Sequence, residues 1–182
     1  MLLDTPDCDF GWKAPDFTLS DPDGTPFTMS KHLGEKGLMI AFICNHCPYV
    51  QAIADRLAQD ARTLMEEGIG FVAVMSNDYR VVSQDSPENM KHFAKHYDFP
   101  FLYLVDHDQA VGKAFGAVCT PDFFGLNKEG TLQYRGRLDS AAMGKPAKRV
   151  PELLNAARQI AETGQGPAKQ IPSMGCSIKW SR

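Results

Sequence analysis

Gly37-Leu38-Met39-Ile40-Ala41-Phe42-Ile43-Cys44-Asn45-His46-Cys47-Pro48-Tyr49-Val50 is the stretch on which the reading of this chain turns. Leu38 to Ile43 is a continuous apolar run, suited to a strand buried on both faces of a sheet. Val50, Ile53, Ala54, Leu57, Ala58, Ala61, Leu64 and Met65 then recur at helical spacing, and the pattern stops at Gly68. Cys44 and Cys47 therefore stand where a strand becomes a helix, with Pro48 suited to the first helical position. Two thiols at that spacing can form and break a disulfide reversibly.

Ala14 to Leu19 alternates as a short strand, and Asp21-Pro22-Asp23-Gly24 has turn chemistry, so Phe27 returns as a hairpin partner. Ser30 is placed to cap a brief helix through Leu33. Ile69 to Met75 is a second buried strand. Ser86 and Pro87 fit the cap and first residue of a helix to about His96. Phe101 to Val105 is a third strand and Gln109 to Phe115 a short helix. Phe123 to Leu126 and Thr131 to Tyr134 form a hairpin across Asn127-Lys128-Glu129-Gly130. Val150, Leu153, Leu154, Ala157 and Ile160 mark a last helix, and from Gly164 onward no period is visible. This order predicts an α/β fold, a three-layer α/β/α sandwich on a mixed central sheet with an N-terminal β-hairpin extension. The expectation is a single domain, residues 1–182, with a core over 9–163 and a C-terminal tail over 164–182.

Composition narrows the function. The chain has 182 residues, of which 43% are hydrophobic and 23% charged, enough for one well-buried core. A formal charge of −3 offers nothing to a phosphate backbone and little to an anionic membrane, so neither nucleic acid nor membrane is an expected partner. Met1 to Phe17 has no basic region followed by an apolar stretch, and the expected location is the cytoplasm. Five cysteines fall below the density of a disulfide-stapled secreted scaffold, and their odd number leaves one over. In a reducing compartment a cysteine pair points to catalysis or metal binding.

The chain resembles the thioredoxin superfamily, in its peroxiredoxin-like AhpC/TSA-related branch. The matching stretches are Phe10 to Phe17, the Asp21 to Gly24 turn, Phe42 to Val50, Ser76-Asn77-Asp78, Val118 to Phe124, Tyr134 to Arg137 and Gly175 to Trp180. The resemblance implies a thioredoxin-like fold in which the proline of Thr120-Pro121 is cis and packs against the disulfide as a substrate shelf. It implies a thiol-disulfide oxidoreductase acting on a disulfide-bearing protein or a small thiol or peroxide, with an electron-donor reductant, no cofactor and no metal. A thiol peroxidase with an antioxidant role is the alternative.

At a helix N-terminus a cysteine pKa falls from about 8.5 to about 3.5–7.5. Cys44 is therefore expected to be the exposed nucleophile and Cys47 the more buried resolving thiol, with Asn45 and His46 tuning the pair. Cys119, beside Thr120-Pro121, is a candidate third redox residue or a small buried side chain. Cys176 is a candidate resolving thiol or an inert tail residue, and Cys8 has no assigned role.

Other readings compete. Cys44, His46, Cys47 and Cys119 are soft ligands, so a metal-binding or redox-sensing module is the reading from another class. His92 and His96, four apart on a helix, read as a solvated face. Arg135 and Arg137 alternate as an exposed strand face would. Asn77 and Asp78 either face a ligand or cap their loop. Two positions depart from the resembled families. No Pro-x-x-x-Thr-x-x-Cys setting surrounds either thiol, and Leu38 stands where thioredoxins carry a buried acid.

Overall fold

The apolar run forms an interior strand of a seven-stranded mixed sheet. The computed structural model describes residues 1–182. In chain order its strands are β1 (Leu2–Asp4), β2 (Thr18–Ser20), β3 (Pro26–Thr28), β4 (Leu38–Phe42), β5 (Gly70–Met75), β6 (Tyr103–Val105), β7 (Cys119–Thr120), β8 (Asp122–Leu126), β9 (Leu132–Tyr134) and β10 (Met174–Ser177). The helices are α1 (Pro48–Gln51), α2 (Ala54–Glu66), α3 (Pro87–His96), α4 (Ala110–Phe115) and α5 (Glu152–Thr163).

The large sheet has the order β3-β2-β6-β5-β4-β8-β9, with β4, β5 and β6 parallel and the other pairs antiparallel. Strand pleating sends alternate residues of β4 to opposite faces. Met39, Ala41 and Ile43 pack with Val50, Leu57, Leu64, Leu153 and Ile160, under α1, α2 and α5. Leu38, Ile40 and Phe42 pack with Phe17, Phe27, Phe115 and Phe124, under α4 and the N-terminal hairpin. Helices on both faces make the three layers, on a thioredoxin-like plan.

Register brings the second half of the site to the first. Phe42 pairs with Asp122 across β4 and β8. Running that antiparallel register two residues further sets Thr120 beside Cys44.

Three expectations change. The helix after the thiols is two helices, because the carbonyl of Ala52 accepts the Arg56 guanidinium at 3.1 Å, a side chain entering the i→i−4 ladder. The first strand shrinks to Thr18–Ser20: Pro15 has no amide donor, and the Phe17 amide donates to the Asp16 carboxylate at 2.9 Å. The supposedly aperiodic tail contains β10, which lies between β1 and β7 in a separate three-stranded antiparallel sheet. Four residues are too few to show a period, and Gly175 looks like a loop residue. Its role is close approach, because a Cβ there would lie 1.9 Å from the Thr120 carbonyl oxygen.

Candidate active site

Cys44 follows directly on β4 and Ile43, and Cys47 is the residue that precedes α1, with its carbonyl accepting the amides of Val50 and Gln51. Both sulfurs converge on Thr120. Cys44 Sγ lies 3.3 Å from the Thr120 hydroxyl, and Cys47 Sγ lies 3.3 Å from the Thr120 carbonyl oxygen. The Thr120-Pro121 peptide is cis. All five cysteines are free thiols.

Burial does not separate the two thiols in the way expected. Cys44 is 1% exposed and Cys47 0%, so Cys44 is not the open one. The two thiols influence each other's ionisation, so they act as a pair that gives up one proton more readily than the other. The neighbouring Cys47, then burial and the Asp85 carboxylate, push Cys44 up from the ordinary thiol range. The neighbouring Cys44 pulls Cys47 down to about 4, against burial and with help from Thr120 and Cys176. These directions favour ionisation of Cys47 over Cys44. A long helix dipole is not the cause, since α1 is a single turn.

Asn45 and His46 are held by a residue that sequence reading missed. Asp85, 0% exposed, sits in a 3-10 turn between β5 and α3. Its Oδ1 accepts the Asn45 amide at 2.7 Å and the His46 amide at 3.3 Å. Its Oδ2 accepts Asn77 Nδ2 at 2.9 Å and lies 2.6 Å from His46 Nδ1. Asn45 is tied further, donating to the Gln84 carbonyl and accepting from the buried Tyr103 hydroxyl, both at 2.9 Å. Asp85 thus puts a buried carboxylate beside the thiols, from a loop, where Leu38 offers none. The one signal in the sequence was an acid two residues before Pro87, which reads equally as helix-cap decoration.

Cys44, His46 and Asp85 offer sulfur, nitrogen and oxygen atoms within 4.8 Å of one another. Both Asp85 oxygens already accept two donors each, which suits orientation of His46 better than ligation of a metal. Asn77 serves this network and also accepts the Lys179 amide at 2.7 Å, so it joins the C-terminal segment to the site. Asp78 pairs with Arg80 at 2.9 Å.

Cys119 is buried and its Sγ points to the Pro121 carbonyl at 3.7 Å, with burial and then Asp122 pushing it up to about 12. Cys176, half-buried on β10, pairs across the strand with Thr120 and is pushed up to about 11 by burial and by Cys47. Cys8 lies near Gln170 and Arg135, raised to about 11 by burial. His92 is exposed beside Glu88, while His96 packs edge-on against Tyr97; both border an open groove that also includes His46. Arg135 is not on an exposed face: it is buried, 2.9 Å from the wholly buried Asp122, and lies over the Phe124 ring. Arg137 lies past the end of β9 and pairs with Glu152 at 2.8 Å.

Beside Pro121 lies a cavity of about 380 Å³ with apolar walls from Tyr49, Ile53, Leu138, Met143 and Met174. No helix is long and apolar enough to cross a membrane.

Residues 10–135 match the AhpC/TSA family. A chloroplastic peroxiredoxin Q from Sedum lineare is 28% identical over 155 residues, which cover 79% of this chain and 75% of that protein. The crystal structure of an uncharacterized conserved protein from Geobacillus kaustophilus is 38% identical and superposes with a TM-score of 0.92 over 100% of this chain and 97% of that one. A thioredoxin-family thiol:disulfide interchange protein from Chlorobium tepidum shares the fold at 21% identity, with a TM-score of 0.58 over 69% of this chain and 84% of its own. The family match runs through the buried strand, the paired thiols and the Thr120-Pro121 turn alike, so the chain belongs to the AhpC/TSA family, as an oxidoreductase on a thioredoxin-like fold.

Proposed function

We propose that the chain is a thiol-disulfide oxidoreductase whose Cys44 and Cys47 cycle between dithiol and disulfide. The observation that carries this reading is the convergence of both sulfurs on Thr120 of the cis Thr120-Pro121 peptide, each 3.3 Å from one of its oxygens, with ionisation favoured at Cys47 over Cys44. The Cys47 thiolate attacks one sulfur of a substrate disulfide, forming a mixed disulfide and expelling the other sulfur as a thiolate. Cys44 then attacks Cys47, closes the Cys44–Cys47 bond and releases the reduced substrate, its proton going to the departing thiolate. An external dithiol returns the pair to its reduced form. Thr120 and Pro121 serve as the shelf beside the sulfurs, and Asn45 and His46, oriented by Asp85, tune the pair. The cycle suits a reducing compartment such as the cytoplasm. The test is exchange with a disulfide substrate by single variants. Cys47→Ser abolishes it, whereas Cys44→Ser keeps the first attack and loses closure of the Cys44–Cys47 ring. Full turnover by Cys47→Ser sinks the assignment.

Ionisation favoured at Cys47 also suits peroxide as a second substrate. The Cys47 thiolate attacks a peroxide oxygen, the O–O bond breaks, and the leaving oxygen takes the Cys44 proton, leaving a sulfenic acid on Cys47. Cys44, now a thiolate, then attacks the Cys47 sulfur and displaces hydroxide to form the disulfide. Peroxide consumption no faster than that of a free thiol, with no sulfenic acid on Cys47 in Cys44→Ser, removes this reading.

A further inference from the structure

The strand β10 lies beyond residues 10–135 that match the family, and it brings a third sulfur to the pair. Cys176 stands opposite Thr120 in the β10–β7 ladder, and Thr120 is the residue whose carbonyl faces Cys47 Sγ at 3.3 Å. Cys44 and Cys176 both lie close enough to Cys47 to favour its ionisation. Cys44, Cys47 and Cys176 therefore gather around Thr120. Cys44 and Cys47 are sealed at 1% and 0% exposure, whereas Cys176 is half-buried and reaches solvent. Cys119, the other nearby thiol, is turned toward the Pro121 carbonyl and wholly buried.

We propose that Cys176 is a third redox thiol, which carries the disulfide from the sealed pair to the protein surface, where an external dithiol reduces it. This rests on the Cys44–Cys47 dithiol-disulfide cycle. The Cys176 thiolate attacks the Cys47 sulfur of the Cys44–Cys47 disulfide. A Cys47–Cys176 bond forms, the Cys44–Cys47 bond breaks, and Cys44 leaves as a thiolate that takes up the proton Cys176 has lost. No electrons enter or leave in this step. A donor thiolate then attacks Cys176 at the surface and releases Cys47 as a thiolate. The donor's second thiol closes its own disulfide and returns Cys176 to the thiol.

The environment times the exchange. In the dithiol the charge on Cys47 opposes ionisation of Cys176. Once Cys47 enters a disulfide that charge is gone, while Lys179 and the N-terminal ammonium still favour the Cys176 thiolate.

The experiment is oxidation with one equivalent of diamide, alkylation of the remaining thiols and non-reducing peptide mapping. Wild-type protein is expected to yield both Cys44–Cys47 and Cys47–Cys176 linked peptides. Cys44→Ser is expected to yield an intrachain Cys47–Cys176 link in the monomer, and Cys176→Ser to lose that link and to be reduced more slowly by dithiothreitol. Full alkylation of Cys176 in both oxidised wild-type and Cys44→Ser protein overturns the proposal. Absence of the Cys44–Cys47 link from both wild type and Cys176→Ser overturns the underlying dithiol cycle instead, and wild-type mapping reads both bonds without any substitution.

Discussion

Asp85 Oδ2 stands 2.6 Å from Nδ1 of His46, and the carboxylate is wholly buried. The same group binds the amides of Asn45 and His46, so one side chain sets both the backbone and the imidazole between the two thiols. Its negative charge also opposes ionisation of Cys44.

Asp85→Asn removes that charge and favours the thiolate, which stabilises the reduced protein. The reduction potential is expected to rise, by about 30 mV for each ~1.4 kcal/mol of thiolate stabilisation. The new amide sets a donor against Asn77 or His46, at a cost of about 1–3 kcal/mol in stability. Redox titration against glutathione reads the first effect and denaturant unfolding the second. An unchanged or lower potential contradicts this role for the carboxylate.

The shared proton sets a pH dependence. Cys47 is lowered from 9.0 to about 4, so between those values the native pair binds fewer protons than the unfolded chain. Stability from this group is fully present above the unfolded value and is lost as pH falls through about 4. Above the unfolded value the unfolded chain sheds a proton that Cys44 keeps, and this second group works against stability. Ultraviolet thiolate absorbance should show one equivalent appearing on the acid side of neutrality. Two thiols titrating together near the ordinary cysteine value are the contrary result.

Arg135→Ala leaves the buried Asp122 carboxylate without its partner, at a cost of about 3–5 kcal/mol. Arg137→Ala, at a more open pair with Glu152, costs about 1 kcal/mol or less. Urea unfolding of the two variants makes the comparison. Equal, small losses indicate that Arg135 is surface decoration after all.

Gly175→Ala drives a methyl group into the Thr120 carbonyl, and β10 must move away from β7. The expected cost is about 1–3 kcal/mol, together with a weaker contact between Cys176 and Cys47. Peptide mapping after oxidation reads the contact: an undiminished Cys47–Cys176 link means that β10 tolerates the methyl group.

The buried strand, its junction with a helix and the paired thiols were written in the sequence, because a six-residue apolar run and a Cys-x-x-Cys spacing are local patterns. The Ser86 cap was legible for the same reason, and its side chain accepts the Asn89 amide as such a cap does. Which thiol ionises more readily was not legible, because it depends on a carboxylate 38 residues beyond Cys47 and on a strand near the other end of the chain. Asp85, Arg135 and Cys176 each looked like loop, surface or tail. The register of β4 against β8, and the pairing of β10 with β7, turned them into a buried anchor, a buried ion pair and a neighbour of the thiolate. Local patterning determined what reacts, and long-range packing decided where its charge rests, since burial and distant carboxylates act through space and leave no period along the chain.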